Sequence, residues 1–306
     1  MGEDVRAGRE GGADIGALPG PLVTAGWLAA RLGAPGLLVL DASVGAHRGS
    51  GTRIAGGGVF DIDGALSDPA APVPHTMPDA ARFTDGMRAL GLNDADTVVV
   101  YDAAGIYSSA RAWWMLRAMG FDRAAVLDGG LPAWTAAGLP VDEGAPGPVP
   151  VRGDFTARPR PGLLVDAGTV AEALADPDAA VLDARTRGRF EGTEPEPRAG
   201  LRGGHMPGAV SLPFGRLQDE GHMLAPDELR AAFAGAVGDR KRLYFSCGSG
   251  VTACVLALGA ELAGYRGTAV YDGSWSEWGL PATHSVHSAD EAHEADRPVV
   301  TGPGGR

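Results

Sequence analysis

The feature that most constrains this chain is an internal duplication. Leu38-Val39-Leu40-Asp41-Ala42 is echoed by Val181-Leu182-Asp183-Ala184-Arg185, Val100-Tyr101-Asp102 by Phe245-Ser246-Cys247, and Leu127-Asp128-Gly129-Gly130 by Tyr271-Asp272-Gly273-Ser274. The displacement is about 145 residues each time, far beyond the roughly 20–50 residues of a solenoid unit, so the repeat is a duplicated domain. The 306 residues suffice for two domains that each bury a core. Within a copy, Val- and Leu-rich runs (Leu37 to Leu40, Thr97 to Tyr101, Ala124 to Leu127) alternate with Ala-rich amphipathic stretches such as Ser108 to Met119. That alternation predicts an α/β chain of two tandem domains, each a mainly parallel sheet covered by helices.

Between the copies, Pro140 to Gly162 holds six prolines and several glycines without periodicity. It reads as a semi-stiff linker laid over the surface. The expected organisation is a disordered tail over 1–20, a first domain over 21–142, a linker over 143–162, a second domain over 163–286 and a disordered tail over 287–306. His287 and His293 in that last segment are too sparse to argue for a metal.

The formal charge of −12, with no concentrated basic patch, argues against nucleic acid or an anionic membrane as partner. No apolar stretch approaches the roughly 20 residues needed to span a bilayer, and residues 1–20 lack the apolar core of a signal peptide. Cys247 and Cys254 are the only cysteines, without CxxC spacing or a matching His cluster, so neither a disulfide framework nor a zinc site is expected. A soluble protein of the reducing cytoplasm is the resulting expectation.

The copies differ at one telling place. Where the second has Cys247 followed by Gly248-Ser249-Gly250-Val251-Thr252, the first has Asp102-Ala103-Ala104-Gly105-Ile106-Tyr107. A cysteine at the end of a buried strand, before a Gly-containing turn and an Ala/Leu helix from about Val251 to Leu262, sits where backbone N–H groups converge and the helix dipole is positive. Those amides would hold the negative charge of a thiolate, a persulfide or a bound oxyanion. The bland alternative is a structural core cysteine.

The motif Cys247-Gly248-Ser249-Gly250-Val251-Thr252, with Gly204-His205-Met206-Pro207-Gly208-Ala209 and Asp272-Gly273-Ser274-Trp275-Ser276-Glu277-Trp278-Gly279, resembles the rhodanese superfamily and, within it, its 3-mercaptopyruvate sulfurtransferase branch, over nearly all of residues 22–284. The first copy departs at Ala55-Gly56-Gly57-Gly58, where the His-containing signature is expected, which implies a non-catalytic copy. The resemblance implies a Cys247 persulfide, a loop Gly248, Gly250, Val251 and Thr252 that binds the donor, 3-mercaptopyruvate as that donor, and no cofactor or metal. It implies a thiol acceptor such as a small thiol or a thioredoxin-like protein, or cyanide.

The segment Phe190 to Pro197 reads as a Pro-containing loop rather than a helix and resembles the family's substrate segment, which makes Arg189 and Arg198 the implied keto-acid ligands. A guanidinium fork suits a carboxylate and can steady an enolate. From spacing alone, surface arginines paired to Glu191, Glu194 and Glu196 are the plainer reading. By the same resemblance Asp63, His75 and Ser249 form a proton relay. Cys254, Trp113, Trp114, Trp134 and Trp275 read as packing residues, and His205 as the setter of a turn. Two rivals stand beside the main reading: a thiosulfate sulfurtransferase, and a non-enzymatic sulfur-carrier module loaded by a partner. A cysteine phosphatase needs an Arg six residues after the cysteine, where Ala253 stands.

Overall fold

A computed structural model of the chain describes residues 15–49, 51–144, 147, 150–281 and 297–304. The first copy contributes β1 (Leu22–Val23), β2 (Leu37–Asp41), β3 (Gly58–Val59), β4 (Thr97–Tyr101) and β5 (Ala124–Leu127). The second contributes β6 (Leu164–Val165), β7 (Ala179–Asp183), β8 (Val210–Ser211), β9 (Arg242–Ser246) and β10 (Thr268–Tyr271). The sheet orders are β1-β5-β4-β2-β3 and β6-β10-β9-β7-β8, all pairs parallel, so the sequence repeat is also a repeat of topology. All five residues of β4 and of β7 are buried, which is why these strands read as unbroken apolar runs: helices cover both faces.

The shared register explains the landmarks. Asp41 lies opposite Tyr101, and Asp183 opposite Ser246, so Asp102 and Cys247 begin equivalent loops at the carboxyl ends of the central strands. In open parallel sheets that edge is where ligands bind.

Each copy keeps a buried cluster of its own, but the largest cluster is shared between them. Helix Ser109–Ala118 packs against helix Ala253–Leu262, and one buried cluster runs from Phe83, Trp113 and Leu116 to Leu256, Ala257 and Phe245. On its other side the second helix packs within its own domain, where a Cβ on Gly259 would crowd Leu217 Cδ1 at 3.0 Å.

Three expectations about the connecting segments need correction. The stretch 150–160 is no surface linker: Phe155 is 1% exposed and stacks edge-on to Phe83 and Phe121, and the Arg158 and Arg160 N–H groups donate to Met119 O and Ala118 O. One aromatic residue in a Pro-rich run outweighs the composition, because it finds an apolar slot in the first domain. Val141–Glu143, just before it, pairs antiparallel with Thr52–Ile54. The last segment is ordered over 297–304: Trp278 Nε1–H donates to Pro298 O, His205 and Val300 exchange backbone hydrogen bonds, and Gly302 N–H donates to Glu191 O. At the other end, Ile15 O accepts from Arg31 Nε, and Leu18 packs on the first domain. Residues 1–14, His287 and His293 lie outside the described residues.

Candidate active site

Cys247 follows β9 and is 2% exposed. Its loop is fixed from behind by the turn after β10. Ser274 Oγ accepts from Cys247 N–H (3.1 Å), Cys247 O accepts from Trp275 N–H (3.0 Å), and Gly248 O accepts from both Ser276 N–H and Ser276 Oγ–H (2.7 Å each). Gly250 has φ +75°, and a Cβ there would stand 2.7 Å from Asp272 O, so both conformation and space demand glycine. With the carbonyls thus engaged, the N–H groups of Gly248, Ser249, Gly250, Val251 and Thr252 donate to no acceptor among the described residues. Five such amides at the start of helix Ala253–Leu262 form a cradle for negative charge.

The first copy shows what such a cradle holds. Asp102, fully buried at the equivalent position, accepts from the N–H groups of Ala104 (2.9 Å), Tyr107 (2.8 Å), Ser108 (2.9 Å) and Ser109 (2.8 Å). There the chain's own carboxylate fills the nest. In the second copy a thiol stands at its rim instead.

Two guanidinium groups overhang the second nest. A Cβ on Gly248 would lie 3.1 Å from Arg189 Nη2 and 4.0 Å from Arg198 Nη1, so Gly248 leaves the space through which the arginines face the loop. Arg189 sits on a short helix, Arg187–Glu191, which takes in Phe190 and Glu191 of the segment expected as a loop, while 192–197 is without helix as expected. Thr186 caps it, accepting from Arg189 N–H, and Gly192 ends it with φ +79°. Arg189 is also tied to Glu196 (2.6 Å), which bonds the buried Arg185 at 2.8 Å. The plainer reading of the arginines therefore describes half of what is seen. Arg198 pairs with no carboxylate among the described residues; its Nη1 donates to Ser276 Oγ at 3.2 Å.

The first domain supplies the remaining wall. His75 Nδ1 lies 2.9 Å from Ser249 Oγ and His75 Nε2 lies 2.9 Å from Asp63 Oδ1, while Asp63 Oδ2 accepts from Gly45 N–H. Asp63, His75 and Ser249 thus form one continuous chain across the domain boundary, although Asp63 and Ser249 are far apart in sequence. A carboxylate can only accept, so Nε2 carries the proton and Nδ1 accepts from the Ser249 hydroxyl. Burial lowers the His75 pKa from the ordinary 6.5; Asp63 works against that, and the Arg198 and Arg111 charges add to it.

Other residues at the site escaped the sequence reading. Tyr107 leans in from the first domain, edge-on to Phe214, and its phenol pKa is raised by burial and then by the Cys247 charge. Arg111 and Asp272 form a buried bridge beneath the loop (2.6 Å). Asp272 carried a signal, as a landmark of the repeat; Tyr107 and Arg111 carried none, since they belong to the other copy. Cys254 is fully buried, donates to Gly250 O, and has its thiol pKa pushed up to about 12 by burial. His205 is buried, stacked on Phe190 at 3.7 Å, with Nδ1 2.8 Å from Phe190 O.

The model of the rhodanese-like domain matches residues 24–137 and again 166–280. The chain belongs to the rhodanese family. It is similar to the human 3-mercaptopyruvate sulfurtransferase, with 42% identity over 85% of this chain and 92% of the relative. The enzyme of the same name from Escherichia coli K12 is 38% identical over 85% of this chain and 95% of its own. A plant relative, the mitochondrial thiosulfate/3-mercaptopyruvate sulfurtransferase 1 of Arabidopsis thaliana, is 36% identical over 89% of this chain and 79% of its own. Among solved rhodanese folds, the crystal structure of SseA from Escherichia coli superposes with a TM-score of 0.74 at 36% identity, over 84% of this chain and all of that one. Both rhodanese domains are therefore present, and the cysteine loop belongs to the second.

Proposed function

We propose that this chain is a sulfurtransferase that takes sulfur from 3-mercaptopyruvate through a persulfide on Cys247. The observation that carries the reading is the nest of five amides beside Cys247, unpartnered among the described residues and roofed by Arg189 and Arg198. A keto-acid donor places its carboxylate on the guanidinium groups and its sulfur over the thiolate. Attack of Cys247 on that sulfur forms the S–S bond and breaks the C–S bond, and the electron pair leaves on carbon as the enolate of pyruvate. The arginines stabilise that enolate and the loop amides the sulfur. Ser249 passes the donor's thiol proton to His75 Nδ1, and the relay returns it to the enolate carbon. Pyruvate leaves and a persulfide anion stays over the amides. A thiol acceptor then attacks the outer sulfur and regenerates the Cys247 thiolate.

Gly248 and Ser249 add no further cation to Arg189 and Arg198, which suits a keto-acid better than a doubly charged thiosulfate. The donor half-reaction needs no metal or organic cofactor, because the bond changes are carried by sulfur, amides and guanidinium groups. Small thiols, cyanide or a thioredoxin-like protein are the acceptors that fit the second half. Two free cysteines suit a reducing, cytoplasmic setting, and among the described residues no helix is long and apolar enough to cross a membrane.

The test is pyruvate release with a reducing thiol present, 3-mercaptopyruvate or thiosulfate as donor, and mass spectrometry of Cys247. Pyruvate formed with one added sulfur on Cys247, and lost in Cys247→Ser, is the expected result. Persulfide from thiosulfate alone would make thiosulfate the donor, and persulfide only when a loading protein is supplied would make the chain a carrier.

A further inference from the structure

The two domains hold one another by a reciprocal exchange. At the end of β5, Asp128 Oδ1 accepts from Met223 N–H of the second domain (3.0 Å); at the equivalent end of β10, Asp272 Oδ2 accepts from Met77 N–H of the first (2.8 Å). Each aspartate thus receives a short excursion of the other copy. A histidine accompanies each contact: His222 lies with Nδ1 3.0 Å from Asp128 Oδ2, whereas His75 points its ring at Ser249 and Asp63.

What separates the two halves is Arg111. Its side chain is fully buried, and Nη2 donates both to Asp272 Oδ1 (2.6 Å) and to His75 O (2.8 Å). Nη1 lies under the cysteine loop, 3.3 Å from where a Cβ on Gly250 would stand. The second copy has Val255 at the equivalent third position of its helix. The backbone of His75 needs the help: its φ of +64° falls in the left-handed region that a non-glycine residue adopts only when its surroundings hold it there. The carbonyl grip by Arg111 and the Met77 amide grip by Asp272 flank that residue and fix it.

We infer that Arg111 and Asp272 are positioning residues that hold His75 against Ser249 across the domain boundary. The inference rests on the relay described under the proposed function. It explains why a guanidinium is buried at the interface of the catalytic half alone: a buried ion pair costs desolvation and is retained where it fixes geometry.

The experiment is a double-mutant cycle on the full chain. Arg111→Lys keeps the charge and loses the fork, and Asp272→Asn keeps the size; each is made alone and in a His75→Asn background. Pyruvate release is measured, and thermal melting shows which variants fold. Either single variant is expected to lower kcat about tenfold or more, within what a proton-transfer group contributes, with KM changed less than about twofold because the arginine ligands are untouched. In the His75→Asn background the further loss is expected to be under about twofold. An equal fold-loss in both backgrounds, or a rise in KM with kcat spared, overturns the inference. If Arg111→Lys does not fold, the Asp272→Asn cycle decides.

Absence of pyruvate from the wild type would sink the proposed function, and the positioning is then read without substrate, on the His75 ring resonances. Asp63, Ser249, Arg198 and Arg111 are the charged and polar groups that act on that ring. Arg111→Lys retains the cation, so a titration that moves up toward the ordinary imidazole value reports a ring released from its buried seat. An unmoved titration overturns the inference.

Discussion

Arg189 and Arg198 look alike in sequence and differ in the fold. Arg189 is committed to Glu196, whereas among the described residues Arg198 meets only the Ser276 hydroxyl, so of the two it is Arg198 that is placed to take an incoming carboxylate. Replacing Arg198 by Lys is expected to raise KM for the keto-acid about tenfold or more, and Arg189→Lys several-fold less, because a lysine loses the bidentate fork; steady-state kinetics on the two variants checks the order. His75 gives a second expectation. Its imidazole pKa sits below 6.5 because burial disfavours the charged form, and it must be neutral at Nδ1 to take the Ser249 proton. The acid limb of the pH–rate profile therefore lies below pH 6.5. Asp63 raises the His75 pKa, so Asp63→Asn is expected to shift the limb to still lower pH while lowering kcat. A limb that moves upward contradicts the relay. The same sign holds for folding. The unfolded chain binds the proton more tightly, so His75 contributes stability above its unfolded value of 6.5 that is lost as pH falls through its lower native value.

Short elements were the hardest to read. Helix Arg187–Glu191 was hidden by Gly192, Pro195 and Pro197, which mark a loop by composition, yet Thr186 and Gly192 are the cap residues that bracket five helical positions. The final segment, polar and Gly/Pro-rich, reads as a tail. What it carries instead is backbone pairing to His205, a donated bond to Glu191 O at the end of the Arg189 helix, and Gly304 seated against Phe190. Arg297 adds an ion pair to Glu277 (2.8 Å). Removing residues 297–306 is expected to lower the melting temperature and raise KM several-fold with kcat less affected, since the segment braces the helix that presents Arg189 and lies away from the relay. Kinetics and a melt of the truncated chain test this. Unchanged KM would show that the Arg189 helix stands without the brace.

At the scale of the molecule, the shared core decides behaviour. The buried cluster that joins helices Ser109–Ala118 and Ala253–Leu262 is continuous, and Phe155 of the connecting segment is built into it. Domains with separate cores unfold separately; domains that share one are expected to unfold together. Calorimetry should give one transition whose calorimetric and van't Hoff enthalpies agree, and two resolved transitions would contradict a single cooperative core. The duplication, the parallel sheets and the cysteine loop were legible because they rest on local pattern: apolar runs, turn glycines and a repeated order of strand ends. Asp63, His75 and Ser249 were legible as residues only through resemblance to a family, since nothing local brings position 75 to position 249. By itself, then, the sequence determined two α/β copies and one nucleophile. The tertiary structure alone decided that Arg189 rather than Arg198 is tied to Glu196, that the first nest is filled by Asp102 where the second has Cys247 at its rim, and that Arg111 of one copy seats the histidine over the loop of the other. The physical reason is range. Periodicity and capping act within a few residues, whereas burial, charge pairing and register across an interface depend on groups that only packing brings together.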